Sequence, residues 1–464
     1  MTVSEAAPSL DAADGAARIA AFAASLRYGD LDAAVRHAAR CHLLDTVGVM
    51  VAGASFDVAT RAEAMLAAVR GPGTIPVPGR VRRADLLDAA FLGGTAAHGI
   101  ELDDGYRQGS VHPGAAVVPA VLAAGWLTRA DGRAAIEAMV AGYETVVAVA
   151  RACHPRLRLR GFHPTGACGV FGAAVAAGRL LGLPAERLAD AVGVAASSAA
   201  GLFAFVNGGA GVKRLHAGHA AREGLQAALL AREGMAGPSG AVDGRDGFLQ
   251  AFAGEQAPKT FTLPPAAAFG ITDCYVKPWP CCRHLQPAVA ALIGLCRDHD
   301  IAPAEIDGIA VDTYRIAAEH AHTGWDDFAS AQLSFPYLVA LAVRFRAIGL
   351  QHFDDAHRAD PATEAIALRL RVTASPEIDR LYPELRPARV TVRTARGVFS
   401  RAADEAPGSR LVPLDDTALR AKFDGLAAPV LSATRAPHLA DLLWNVEACV
   451  DIRLLAEAAA LPAA

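Results

Sequence analysis

Up to about residue 265 the apolar residues of this chain recur at helical spacing, in segments such as Asp32 to Val51 and Val117 to Ala130, cut by short Gly and Pro breaks. Near 270 the spacing changes to period two. IDGIAVDTYRIA (306–317) and RPARVTVRTARGVFSRAAD (386–404) alternate and are rich in β-branched residues, which predicts strands. Between them, 328–344 and 363–369 predict helices, so residues 271–405 read as a small α/β domain. Helical spacing returns after Asp415, through Leu419 to Phe423 and Ala436 to Ala456. The expected fold is mainly α: a large all-helical domain made by both chain ends (1–270 and 406–464), with the α/β domain inserted.

Of the 464 residues, 53% are hydrophobic but only 6% aromatic, and 43 are glycine, so the apolar mass is Ala, Val and Leu. Small side chains let helices approach closely, which suits a helix-packed core. Glu5, Asp11 and Asp14 precede the first arginine, Arg18, the reverse of a secretory signal's charge order. The uncharged run Ala191 to Val212 is long enough to span a bilayer. It holds Ser197, Ser198, Asn207 and Gly208-Gly209-Ala210-Gly211, however, and reads better as a core helix running into a loop. A cytoplasmic protein is expected. The eight cysteines lack disulfide or zinc spacing, and Cys281-Cys282 are adjacent, so reduced thiols are expected. With 44 basic and 48 acidic residues, a net charge of -4 and no long like-charge run, no footprint for nucleic acid or anionic membrane is present. A small molecule is the expected partner.

Two segments repeat one arrangement. His112-Pro113-Gly114 precedes AAVVPAVLAAG, and His163-Pro164-Thr165-Gly166 precedes ACGVFGAAVAAG, each placing an imidazole just ahead of an apolar helix. A helix N-terminus favours anions and resists a protonated His beside it, so such a ring stays neutral and available as a base. Lys213-Arg214-Leu215-His216, before a helix expected at 217–233, and Lys277-Pro278-Trp279-Pro280, before one expected at 287–297, add two cations in like positions. Four such starts brought together would hold several carboxylates. Glu101-Leu102-Asp103-Asp104 closes a helix expected to begin near Ala84, where the helix dipole disfavours acids, so these carboxylates call for a basic partner.

Taken singly, each residue has a plainer reading. A histidine before a helix is commonly a loop residue, Lys213 and Lys277 read as surface charges, and Glu101 to Asp104 as a solvated turn. Trp279 and Tyr337 read as core or edge aromatics, Cys281 and Cys282 as small buried hydrophobes, and Arg156, Arg158 and Arg160 as a solvated strand face. The repetition lifts the functional reading above these.

HLLDTVGVMVAG, AAHGIELDDGYRQGSVHPGAAVVPAVLA, RGFHPTGACGVFGAA, GVKRLHAGHAAREG, YVKPWPCCRHLQPA and SFPY (334–337) follow one another along nearly the whole chain. In these motifs the sequence resembles the MmgE/PrpD family, which includes 2-methylcitrate dehydratase, cis-aconitate decarboxylase and iminodisuccinate epimerase. The resemblance implies a homodimer, an α/β domain that acts as a lid, and a site between the domains without metal or organic cofactor. It carries catalytic roles onto His112, His163, Lys213, Lys277 and Tyr337, with Glu101, Asp104, His216 and Cys282 as substrate-binding candidates. Glu101 stands where family members commonly have an aspartate, and Cys282 where the animal cis-aconitate decarboxylase has a second histidine.

The family's reactions develop negative charge on a carbon beside a carboxylate, which demands a placed base and cations aimed at the enolate. His163 is the leading candidate for the base, Lys213 and Lys277 for the cations, His112 and Tyr337 for proton donors. The expected activity is that of a lyase dehydrating a citrate-like hydroxy acid. An epimerase of a dicarboxylate such as iminodisuccinate comes second, a cis-aconitate-type decarboxylase third, and a non-catalytic carboxylate-binding protein last.

Overall fold

The computed structural model describes residues 14–207, 211–255, 261–265 and 268–462. The acids Glu5 and Asp11 and the stretch Gly208 to Ala210 lie outside them. The chain divides into two compact units, one of Met1–Gly99, Asp103–Cys274 and Leu419–Ala464, the other of Ile100–Leu102 and Tyr275–Ala418. The mainly α class expected from the sequence holds.

In the first unit the described secondary structure is helical apart from isolated bridges. Its central helices are Ala33–Gly53, Leu86–Ala97, Pro113–Thr128, Gly132–Cys153, Pro164–Leu180 and Val212–Arg232. Asp32 and Asp131 accept from the third backbone N–H beyond them and so start two of these. His112 and His163 sit at the N-cap of two others, each followed by proline, and neither ring caps its helix. Both imidazoles are therefore left for other partners.

Much of the core between these helices is alanine: Ala90, Ala123, Ala177, Ala221 and Ala228 form one buried cluster with Leu225. The Leu86–Ala97 and Val212–Arg232 helices come so close that a Cβ on Gly94 would stand 2.8 Å from the Ala217 carbonyl oxygen and the Gly218 Cα. No larger residue fits there without moving backbone. Among the described residues no single helix is long and apolar enough to cross a membrane. The uncharged run from Ala191 begins inside the helix Ala185–Ala196 and goes on through a turn and the short Phe203–Asn207 helix.

The second unit holds a four-stranded sheet in the order β2-β1-β3-β4, made by β1 (Ile306–Thr313), β2 (Leu370–Ala374), β3 (Ala388–Thr394) and β4 (Gly397–Ala403). β1 runs parallel to β2 and antiparallel to β3, and β3 and β4 form a hairpin. Inward residues Ile309, Val311, Val390 and Val392 share a core with Leu292, Leu338 and Leu341 of the helices Gln286–Asp298 and Phe335–Phe345.

Three local expectations are corrected. The helix expected over 328–344 is two, Phe328–Ala331 and Phe335–Phe345. Ser334 restarts it by accepting from the Tyr337 N–H, with Pro336 in the first turn, where its missing donor costs nothing. β2 escaped the sequence reading because an edge strand this short and exposed shows little alternation. Arg156 and Arg158 belong to a short helix, Arg156–Leu159, rather than a strand, and the Arg158 guanidinium lies 3.3 Å from the centroid of the Phe203 ring.

Candidate active site

Within the helical unit, His112, His163, Lys213 and His216 come together, and His98 joins them. Its ring centroid is 5.2 Å from that of His112 and 5.5 Å from that of His163. His98 terminates the Leu86–Ala97 helix, His112 and His163 begin theirs, and Lys213 and His216 lie in the first turns of Val212–Arg232. That last helix starts at Val212 rather than at 217, which turns Lys213 and His216 from loop into helix residues. His98, His163, Lys213 and His216 are buried, and His112 is nearly so.

Asp103 and Asp104 orient two of the rings. His98 Nδ1 lies 2.5 Å from Asp103 Oδ2, and His112 Nδ1 lies 3.3 Å from the same oxygen and 2.5 Å from the Asp104 carbonyl oxygen. A carbonyl only accepts, so His112 Nδ1 carries a hydrogen, and the neutral ring has its lone pair on Nε2. The Asp104 carboxylate is engaged elsewhere: it accepts from Gly114 N (3.0 Å) and the Tyr143 hydroxyl (2.8 Å), and His42 Nδ1 stands 3.2 Å away. It thereby pins the start of the helix that His112 precedes. A Cβ at Gly114 would stand 2.5 Å from Thr46 Oγ1 and 2.9 Å from Asp104 Oδ1, which explains the glycine of the first His-Pro-Gly. Deeper still, Lys422 pairs with Asp45 at 2.5 Å, whose carboxyl is pushed up by burial against the pull of that lysine.

His163 and His216 face each other through their Nδ1 atoms, 3.0 Å apart. Burial holds the His163 imidazole well below its ordinary range, and the charges of His98, Lys213, His216 and His112 push the same way. His216 is lowered to about 4, by burial first and then by His98, His219 and Lys213. His163 therefore rests neutral at physiological pH, the state a base requires.

In the second unit, Lys277 Nζ lies 3.2 Å from Glu101 Oε2, both side chains buried. Glu101 has a left-handed backbone, φ 55°, a conformation that costs a non-glycine residue about 1 kcal/mol. The Gln332 amide supports it, donating to Ile100 O (2.8 Å) and Pro280 O (3.1 Å). Lys277 lies in the loop before the Gln286–Asp298 helix rather than at its first turn. Cys282 is half-buried in that loop; burial raises its thiol, but the His320 imidazole outweighs it and holds the thiol below its usual range. Tyr337 is fully buried in the core of this unit, its hydroxyl donating to the His352 carbonyl at 2.5 Å. The phenol that the resemblance offers as a proton donor is thus committed to backbone.

Sequence reasoning missed His98 and His320; Asp103 it named within the acidic run that calls for a basic partner, and His98 and His112 are those partners. His98 and Asp103 lie inside the quoted HGIELDD motif, but a histidine ending an apolar helix reads as a cap.

Residues 17–260 match the MmgE/PrpD N-terminal domain and residues 279–448 the MmgE/PrpD C-terminal domain. The chain is similar to a cis-aconitate decarboxylase of Aspergillus terreus, 26% identical over 95% of each chain. It is similar also to a cis-aconitate decarboxylase-like protein of Aspergillus oryzae, 26% identical over 97% of this chain and 98% of that one. The human cis-aconitate decarboxylase is 26% identical over 79% of this chain and 78% of its own. With matches to both characteristic domains in order along the sequence, the chain belongs to the MmgE/PrpD family.

Proposed function

We propose that this protein is a lyase acting on a small tricarboxylate through a carbanion formed beside a carboxylate, with decarboxylation of a cis-aconitate-type acid as the first reaction to test. The observation that carries the reading is the buried group of His98, His112, His163 and His216 with Lys213. So many basic groups gathered out of water repel one another's protons, and a polyanion is the ligand that relieves this. The shared name of the relatives brings decarboxylation ahead of the dehydration favoured on sequence grounds.

In the decarboxylation the C–CO2 bond breaks and its electron pair spreads into the neighbouring double bond and carboxylate. In this reading Lys213 is the cation that stabilises that charge, and an imidazole that took up a proton on binding the polyanion returns it to carbon. Dehydration of a citrate-like hydroxy acid is the second reading. It is favoured by the neutral resting state of His163, which suits removing a proton from carbon, and by Cys282 where the animal decarboxylase has a histidine.

The test is turnover of a panel of di- and tricarboxylates in deuterated water, followed by NMR. Loss of carbon dioxide with deuterium at the vacated carbon supports decarboxylation. Release of water from a hydroxy acid supports the second reading, and deuterium at an inverted centre would point to an epimerase. Absence of turnover on every member of the panel would overturn the proposal.

A further inference from the structure

Arg18, Arg40, Arg179 and Arg222 each have an Nε without a hydrogen-bond partner, yet each guanidinium pairs with a carboxylate. Arg386 of the second unit has neither. It is 3% exposed, and among the described residues its Nε has no hydrogen-bond partner and no carboxylate pairs with its guanidinium. A cation taken out of water in this way is costly unless an anion comes to meet it.

The neighbours of Arg386 do not supply that anion. Arg386 stands at the start of β3, where Thr313 of β1 pairs with Ala388 and its hydroxyl donates to the Pro387 carbonyl at 3.0 Å, so that Tyr314 adjoins it across the sheet. The Tyr314 hydroxyl lies 2.6 Å from His284 Nδ1, and its ring stacks on Tyr382 with centroids 5.0 Å apart. Burial pushes the Tyr314 phenol far above its usual range, so it stays neutral and brings no countercharge. The Arg386 guanidinium is 5.9 Å from the centroid of the Tyr275 ring, but Arg283 holds the nearer place on that ring, at 4.6 Å. Arg283 is itself buried, and burial first, with Arg386 adding to it, lowers its guanidinium to about 10. The buried acid that bears on both arginines is Glu405, and one carboxylate against two guanidiniums leaves positive charge over.

We propose that Arg386 anchors an oxyanion site built from residues of the second unit alone, which takes a single compact group, a carboxylate or inorganic phosphate. The planar guanidinium offers either one paired N–H donors. A bound anion also offsets the repulsion between Arg386 and Arg283. Arg283 donates to the Ala406 (2.9 Å) and Pro407 (2.7 Å) carbonyls, and the next residue, Gly408, accepts from the N–H of Val276 at 2.9 Å. Occupancy would therefore steady the turn against which the chain is held just before Lys277. The site does not rest on the lyase reading, since neither its residues nor its test involve turnover.

Calorimetric titration of the full chain with inorganic phosphate and, separately, with acetate, at an ionic strength held constant by chloride, tests it. At least one probe should bind saturably at one site per chain, and which of them does so assigns the class. Affinity should fall at least about tenfold in Arg386→Gln and be retained in Lys213→Ala, which removes a cation of the histidine cluster instead. No saturable binding of either probe overturns the site, and so does binding that survives in Arg386→Gln. Should that variant fail to fold, wild-type crystals soaked in the probe that binds decide the matter: the anion within hydrogen-bond distance of the Arg386 guanidinium supports the site, and ordered water alone there overturns it.

Discussion

His163 and His216 meet Nδ1 to Nδ1 at 3.0 Å, so one ring donates through this contact while the other accepts, and both cannot carry a hydrogen there. The two imidazoles therefore titrate as a unit in which the doubly charged state is excluded. Both are held below the ordinary histidine value, His216 at about 4. Between about 6.5 and about 4 the unfolded chain binds protons that these folded imidazoles refuse, so stability is fully present above 6.5 and declines as pH falls toward 4. Urea midpoints measured across that range should drop in the wild type and drop less in His216→Gln.

Replacing His163 by Gln keeps a polar side chain but removes the titrating nitrogen. Turnover should fall about 100-fold or more with substrate binding retained, whereas Lys213→Ala should weaken binding as well, by removing a buried cation. Steady-state kinetics with a binding assay separates the two. Near-normal turnover in His163→Gln would move the base to another member of the cluster.

Binding of a tricarboxylate should be accompanied by proton uptake. Burial lowers His163 most, and the charges of His98, Lys213, His216 and His112 add to it; three entering negative charges offset that second part, and the imidazole moves back toward its ordinary range. Calorimetric titration at pH 7 in buffers of different ionisation enthalpy measures the protons taken up, about one per site. An apparent binding enthalpy independent of buffer would contradict this.

Asp103 serves two rings through one oxygen. Asp103→Asn preserves shape but removes the charge that fixes the Nδ1–H tautomer of His98 and that faces His112 Nδ1, which the Asp104 carbonyl still holds. Expected is a loss in kcat of roughly 10- to 100-fold with little change in KM. Nitrogen chemical shifts of the histidines would show the altered tautomer, a change that simple destabilisation would not produce.

Glu144 supplies a test confined to stability. Its two carboxylate oxygens accept from the backbone N–H groups of Gly270 (2.8 Å) and Ile271 (2.9 Å), while burial raises its carboxyl to about 7. Glu144→Gln would turn an amide donor toward one of those N–H groups, so thermal unfolding should show a loss of about 2 kcal/mol. Because the folded value is raised, the wild type should also lose stability as pH climbs from about 4.5 through 7.

The helical and strand textures were readable because burial imposes periods of 3.6 and 2 on the sequence, and the two His-Pro helix starts because proline announces the first turn. The contact between His163 and His216 joins residues 53 positions apart, and no local signal encodes it. His98 was obscured by its ordinary place at a helix end, and His320 by a short turn with no periodicity. Tyr337 shows the opposite limit: its motif was visible, but the bond that occupies its hydroxyl comes from the backbone of His352, in a loop whose path is set by packing.

Where Gly94 meets Gly218, the helix that ends in His98 and the helix that carries Lys213 in its first turn touch backbone to backbone, and a Cβ on Gly218 would also stand 2.3 Å from Thr95 Oγ1. Sliding one helix along the other would cost van der Waals contact along a whole seam, so the spacing between that imidazole and that ammonium is inherited from the scaffold. A lineage adapting this framework to a longer or shorter acid must then do so by exchanging side chains on fixed posts. The posts themselves change only if both glycines change together.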